Sequence, residues 1–167
     1  DQILSFAPLG IVNKMRVKYE VAVRPVYTVG SFFNYYYGNF KGIKCEPFIR
    51  YYPAKGSPEG LYFQMKAHFG FYSSDIDYHY NAPLDTLEVS RNVNYFALGF
   101  GYGCGYQYYN RKGKAIDLFF GMQYSNRGFS DTYLSDGILY NTYDDFWWFL
   151  TGPGSYLNMH IGIGLVF

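Results

Sequence analysis

Hydrophobic and polar residues alternate one for one through most of this chain, and a period of two predicts strands. The last stretch is the cleanest. Leu157, Met159, Ile161, Ile163, Leu165 and Phe167 share one phase, and Asn158, His160, Gly162 and Gly164 share the other. Nowhere do apolar positions recur at three and four over a dozen residues, so no helix is expected.

The same alternation divides the rest of the chain into hairpins. A first strand is expected at about Ile3–Val12, turning at Asn13-Lys14. A second, Met15–Arg24, sets Val17, Tyr19, Val21 and Val23 against Arg16, Lys18, Glu20 and Ala22. Pro25 opens a turn, and the third strand runs from about Thr28 to Tyr37, ending at Gly38-Asn39. The fourth, Gly42–Tyr52, opposes Ile43, Cys45, Pro47 and Ile49 to Lys44, Glu46, Phe48 and Arg50. Pro47 has no N–H to give a ladder, which predicts a bulge there.

After a turn over Pro53–Gly60, the fifth strand, Leu61–Tyr72, sets Leu61, Phe63, Met65, Ala67, Phe69 and Phe71 against Tyr62, Gln64, Lys66 and His68. Ser73–Asn92 reads as a long polar loop. The sixth strand, Val93–Tyr109, alternates Ala97, Gly99, Gly101, Gly103 and Gly105 with large apolar residues, and Asn110–Gly113 makes a tight turn. Ala115–Tyr124 is the seventh. A second long loop, Ser125–Ser155, leads into the eighth.

Strands near the ~9–11 residues that cross a bilayer, with short and long connections alternating from the second hairpin onward, predict one all-β domain over residues 1–167. The expected fold is an eight-stranded antiparallel transmembrane up-and-down β-barrel with both termini at the periplasmic end. The chain's final residues support this. Polar His160, small Gly162, hydrophobic Leu165 and terminal Phe167 look like the assembly signal of outer-membrane barrels, read by the barrel-assembly machinery during insertion. The competing reading is the buried last strand of a soluble β protein.

Composition sharpens the choice. Aromatic residues make up 23% of the chain, with 21 Tyr and 16 Phe, more than a soluble core of this size uses. Aromatic girdles at two membrane interfaces would use that excess. A net charge of +1 with no basic stripe argues against nucleic acid as a partner. The chain starts at Asp1 without a charged or apolar leader, which reads as a mature form exported with a signal peptide since cleaved. Cys45 and Cys104 are too few for a disulfide framework, and both fall on outward phases with most of the wall between them.

Lys18, Glu20, Lys44, Glu46, Arg50, Lys66 and Asp117 all fall on the inward phase. Eight strands enclose just enough space for side chains to fill, so these charges are expected to pair into a network that fixes register and plugs the lumen. Counting register places Glu46 beside Lys66 or His68 and Asn34 beside Glu46. The glycines of the sixth strand leave room for Arg50 or for tyrosines. A gated proton or ion path is the sharper alternative.

Catalysis is not expected. A serine-type deacylase acting on lipid A needs a nucleophile, a histidine base and an orienting acid at the lipid-facing rim. His68 and His160 are on inward phases. His79 lies in Asp75-Ile76-Asp77-Tyr78-His79-Tyr80 near Ser73 and Ser74, a constellation that a polar surface loop explains better. The same Asp75, Asp77 and His79 have weak metal-ligand spacing and no obvious fourth ligand, so no metal or cofactor is expected.

Asp144-Asp145-Phe146-Trp147-Trp148-Phe149-Leu150 holds both tryptophans of the chain. Three readings fit Phe146, Trp147, Trp148 and Phe149: an upper aromatic girdle, an exposed anchor for another protein, or a platform for sugar or lipopolysaccharide.

Phe6-Ala7-Pro8-Leu9-Gly10-Ile11, Val17-Lys18-Tyr19-Glu20 and the run Gly42-Ile43-Lys44-Cys45-Glu46-Pro47-Phe48-Ile49-Arg50-Tyr51-Tyr52-Pro53 make the chain similar to a family of small Bacteroidota outer-membrane barrels. Members of that family look like OmpX-type eight-stranded barrels and are largely of unassigned function. The resemblance covers roughly the first seventy residues and the last strand. It implies the fold and no particular activity. The expectation is a non-enzymatic barrel in contact with membrane lipid and lipopolysaccharide, acting as a structural or accessory subunit of a larger outer-membrane protein complex. A stand-alone surface barrel whose loops bind ligands is the alternative, and a lipid A-modifying enzyme ranks third.

Overall fold

The computed structural model describes residues 2–8, 13–38, 40–54, 58–81, 86–110, 112–126 and 152–167, with 76–81, 86–91 and 93 described by their backbone alone. Its strands are β1 (Gln2–Phe6), β2 (Lys14–Arg24), β3 (Tyr27–Tyr37), β4 (Lys41–Tyr51), β5 (Gly60–Asn81), β6 (Thr86–Tyr109), β7 (Lys114–Ser125) and β8 (Leu157–Val166). Each strand pairs antiparallel with its neighbour in sequence, and β8 returns to β1, which closes the barrel. Gln2 and Phe167 seal the seam by exchanging backbone hydrogen bonds of 3.1 and 2.9 Å. Closure removes the unpaired edges that an open sheet would expose.

One end of the barrel, here the terminal end, carries both termini and the short connections after β2, β4 and β6. The connection after β6 is closed by hydrogen bonds from Asn110 N to Lys114 O (2.8 Å) and from Gly113 N to Asn110 O (2.9 Å). Gly113 sits there at φ 74°, a conformation that costs a residue with a Cβ. The connections after β1, β3, β5 and β7 lie at the opposite, far end.

Three sequence expectations change. β1 is shorter than Ile3–Val12: its ladder with β2 stops at Phe6, Ala7 N adds one bond to Arg16 O at 3.1 Å, and Pro8 has no N–H to continue. Ser73–Asn92 is no loop, because β5 and β6 remain paired out to Asn81 and Thr86. Pro47 makes no bulge. Cys45 faces Phe69 and Phe48 faces Lys66, so register is kept across the proline and only the pairing of Glu46 and Pro47 with β5 lapses. The register shift lies between Ala22 and Arg24 instead.

The two faces of the wall divide as the alternation requires. Outward positions such as Phe33, Ile43, Met65, Phe71, Phe100, Phe120 and Met159 are all more than half exposed, and the apolar belt continues around all eight strands. Water-soluble monomers rarely expose a contiguous apolar belt of this kind. Inward positions are buried and mostly polar or aromatic.

Candidate functional site

Among the described residues, the inward phase delivers Arg16, Lys18, Lys44, Arg50 and Lys66 and the carboxylates Glu20, Glu46 and Asp117 to the interior, all of them buried, while Lys14, half-buried at the far end, stands 5.3 Å over the Tyr36 ring. They sort into two groups along the barrel.

The group nearer the terminal end is charge-balanced. Arg50 Nη1 donates to Glu20 Oε2 (2.9 Å) and Gln107 Oε1 (2.7 Å), its Nη2 to Asp117 Oδ2 (2.9 Å), and its Nε to Gln64 Oε1 (2.8 Å). Lys18 Nζ reaches the same two carboxylates, at 2.7 Å from Glu20 and 2.6 Å from Asp117. Hydroxyls complete the shell. Thr28 and Tyr52 donate to Glu20 at 2.5 and 3.1 Å, and Tyr62 donates to Asp117 at 2.5 Å. A carboxylate taken out of water is tolerable when its lone pairs are filled in this way.

The group nearer the far end gathers three cations around Glu46. Arg16 Nη2 lies 3.0 Å from Glu46 Oε1, Lys44 Nζ lies 3.4 Å from the same oxygen, and Lys66 Nζ is bonded to Oε2. Asn34 accepts from Arg16 Nε at 2.6 Å and donates to Glu46 at 2.9 Å, locking the two together. Lys44 also donates to Pro153 O at 3.2 Å, tying the buried segment Gly152–Ser155 over this group.

Aromatic rings join the two groups. The Arg16 guanidinium stands 5.1 Å over the Phe32 ring and that of Arg50 stands 4.8 Å over Phe48, while Phe32 and Phe48 are 4.9 Å apart. His160 packs against Phe32 and Phe119 at 5.0 and 5.2 Å. Toward the far end, Tyr36, Phe40, Tyr72 and Tyr95 form a buried aromatic cluster, and Tyr52, Tyr62 and Phe119 form another toward the terminal end. Side chains therefore fill the section of the interior that the described strands enclose.

All seven charges singled out from sequence belong to this network. Of the two partners expected for Glu46, Lys66 takes the carboxylate; the His68 ring nitrogens find no partner among the described residues. The β6 glycines make room for Tyr62 at Gly105, Lys66 at Gly101 and His68 at Gly99. Arg50 is not lodged there; it packs over Phe48 and, at 4.0 Å, over Tyr62. The network also takes in Arg16, a charged residue on the same inward phase, and the neutral Gln64, Gln107, Tyr52, Tyr62 and Asn158. The neutral members carry no charge to mark them in a sequence, yet a buried carboxylate or guanidinium recruits amides and phenols as well as opposite charges.

His160 and Gly162 face inward, whereas Leu165 and Phe167 face outward. His160 Nε2 lies 3.5 Å from Asp117 Oδ2, so part of the expected assembly motif is also part of the interior network. Phe146, Trp147, Trp148 and Phe149 lie outside the described residues, as does the side chain of His79. Both cysteines are free. Cys45 is level with Phe69 and Cys104 with Phe63, about 20 Å apart along β5. Ser31 Oγ lies 3.3 Å from Cys45 Sγ, and Ser31 faces Pro47, so small side chains interrupt the bulky wall of β3 and β4.

No protein-family model matches the chain, and no curated protein or solved structure matches it either.

Proposed function

We propose that the chain is an integral outer-membrane barrel without chemistry of its own, and that it serves as a structural or accessory subunit of a larger outer-membrane complex such as barrel-assembly machinery or a transporter assembly. The observation that carries this reading is the combination of a filled interior with an apolar exterior. A wall of outward rings and aliphatics suits lipid or another barrel, and a lumen held by paired charges offers solutes no ready path. Action is then left to the outer wall and the connections at either end. The interruption at Ser31, Cys45 and Pro47 gives a neighbouring barrel a place to approach closely.

One observation favours a second reading, a stand-alone surface barrel that binds host or environmental ligands. The last β4 partner on β5 is Ser73 and the last β7 partner on β6 is Gly99, yet β5 and β6 stay paired to Asn81 and Thr86. The ribbon past Ser73 projects by about 27 Å, far enough to present a surface of its own. A lipid A-modifying enzyme has less support, because His68 and His160 are both buried inside the barrel.

A pull-down of the tagged chain from native membranes in mild detergent, followed by mass spectrometry, separates these readings. Stoichiometric recovery of a large barrel or a lipoprotein set supports the accessory subunit. Recovery of the small barrel alone contradicts it and turns attention to the projecting ribbon.

A further inference from the structure

A shallow, open groove of 540 Å³ lies on the outer wall at the far end of β4, β5 and β6, where Lys41, Phe71, Ser73, Asn94 and Phe96 line it. Two successive outward rows of the sheet set its character. In one, Lys41 lies opposite Ser73 and Ser73 opposite Asn94; in the next, Ile43 lies opposite Phe71 and Phe71 opposite Phe96. The first row is polar and carries a cation. The second is apolar, with the Phe71 and Phe96 rings 5.0 Å apart. The edge of the apolar belt thus passes through the groove. Gly42 lies between the two rows, where a Cβ would collide with the Phe71 carbonyl and the Tyr72 backbone.

Among the described residues, no carboxylate claims the charge at this edge. Asp75, the nearby carboxylate on β5, accepts a 2.7 Å hydrogen bond from Asn92, which itself accepts from Ser73 at 2.9 Å. Lys41 is exposed and forms no ion pair among the described residues. A lysine at the rim of an apolar belt lays its stem on the wall and holds its ammonium at headgroup level.

We propose that this groove binds an anionic lipid, with a phosphate held at Lys41 and Asn94 and an acyl chain laid along Ile43, Phe71 and Phe96. The inference rests on the membrane-embedded reading above and assigns one stretch of the wall to lipid. A phosphate on an acylated glycolipid and one on a glycerophospholipid share this chemistry.

The test places the full chain in phosphatidylcholine nanodiscs doped with monophosphoryl lipid A, with its dephosphorylated form or with phosphatidylglycerol, and counts retained lipids by native mass spectrometry. Heat-modifiable migration of the same sample reports insertion. The expected result is about tenfold preference for a phosphorylated probe over dephosphorylated lipid A. That preference disappears in Lys41→Gln and persists in Lys112→Gln, near the opposite end. Preference for lipid A over phosphatidylglycerol, or the reverse, identifies the source. Equal retention with and without phosphate, or indifference to Lys41→Gln, overturns the site while leaving the inserted barrel standing. Failure to insert at all overturns the membrane reading and the site with it.

Discussion

Arg50 on β4 and Asp117 on β7 meet across the barrel interior, Nη2 to Oδ2, at 2.9 Å, with both side chains essentially out of solvent. The same guanidinium holds Glu20 at 2.9 Å, so one residue ties β2, β4 and β7 together. Arg50→Met is expected to strand two buried carboxylates with only Lys18 as counter-charge, destabilising the barrel by about 3–5 kcal/mol. Arg50→Lys keeps the charge and loses the planar fork, so an intermediate loss is expected. Urea unfolding in lipid vesicles measures both. An unchanged midpoint for Arg50→Met would remove the network from the account of stability.

The cluster around Glu46 is lopsided, and substitutions should reveal it. Glu46→Gln leaves Arg16, Lys44 and Lys66 crowded without their carboxylate, and a loss of several kcal/mol is expected. Lys44→Met removes one of three cations from that single acid and should cost less than about 1 kcal/mol or stabilise. The same unfolding assay compares them. If Lys44→Met proves as damaging as Glu46→Gln, the far-end group is not over-supplied with positive charge.

Glycines of the wall should divide by what stands behind them. A methyl at Gly105 runs into the Leu118 carbonyl and the Tyr62 ring, and one at Gly103 into the backbone of Phe120 and Gly121. Gly105→Ala is expected to lose about 1–3 kcal/mol through overpacking. At Gly162 the nearest atom to a new methyl is Asp117 Cβ at 3.4 Å, an ordinary contact. Gly162→Ala should therefore stay within about 0.5 kcal/mol of the parent. Equal losses at the two positions would contradict the packing described for β6.

The alternation carried most of this structure. Ile116 outside and Asp117 inside, or Ile49 outside and Arg50 inside, follow from phase alone, and register counting narrows the neighbour of Glu46 to Lys66 or His68, of which Lys66 takes the carboxylate. What failed did so for physical reasons. The projecting ribbon reads as a loop because Ser73, Ser74, Asp75 and Asp77 are polar, yet Ile76, Tyr78 and Tyr80 and, on the paired strand, Leu87 and Val89 keep the period of two. A two-stranded ribbon is held by its backbone ladder and needs no continuous apolar face to remain paired. Pro47 kept register because losing one N–H empties a ladder position without demanding an extra residue. The neutral members of the interior network, Gln64 and Gln107 above all, showed no charge to betray them.

Cys45 and Cys104 should remain thiols under oxidising conditions. Mild oxidation of the folded barrel is expected to leave its migration unchanged without reductant, since about 20 Å far exceeds the roughly 7 Å reach of a disulfide between Cα atoms. An intramolecular crosslink in folded protein would contradict the register of β4, β5 and β6.

The most direct measurement is a nitroxide scan along β7 of the folded chain in lipid vesicles, with Cys45 and Cys104 replaced by serine. Labels at Ile116, Leu118, Phe120, Met122 and Tyr124 report the outward phase, and labels at Phe119 and Gln123 the inward one. The expected result is alternation: outward labels collide freely with oxygen and little with a water-soluble nickel complex, and inward labels collide poorly with both. Outward labels as open to nickel as to oxygen would place this wall in water. Inward labels open to nickel would mean a wet lumen. Either result would contradict a sealed barrel embedded in lipid.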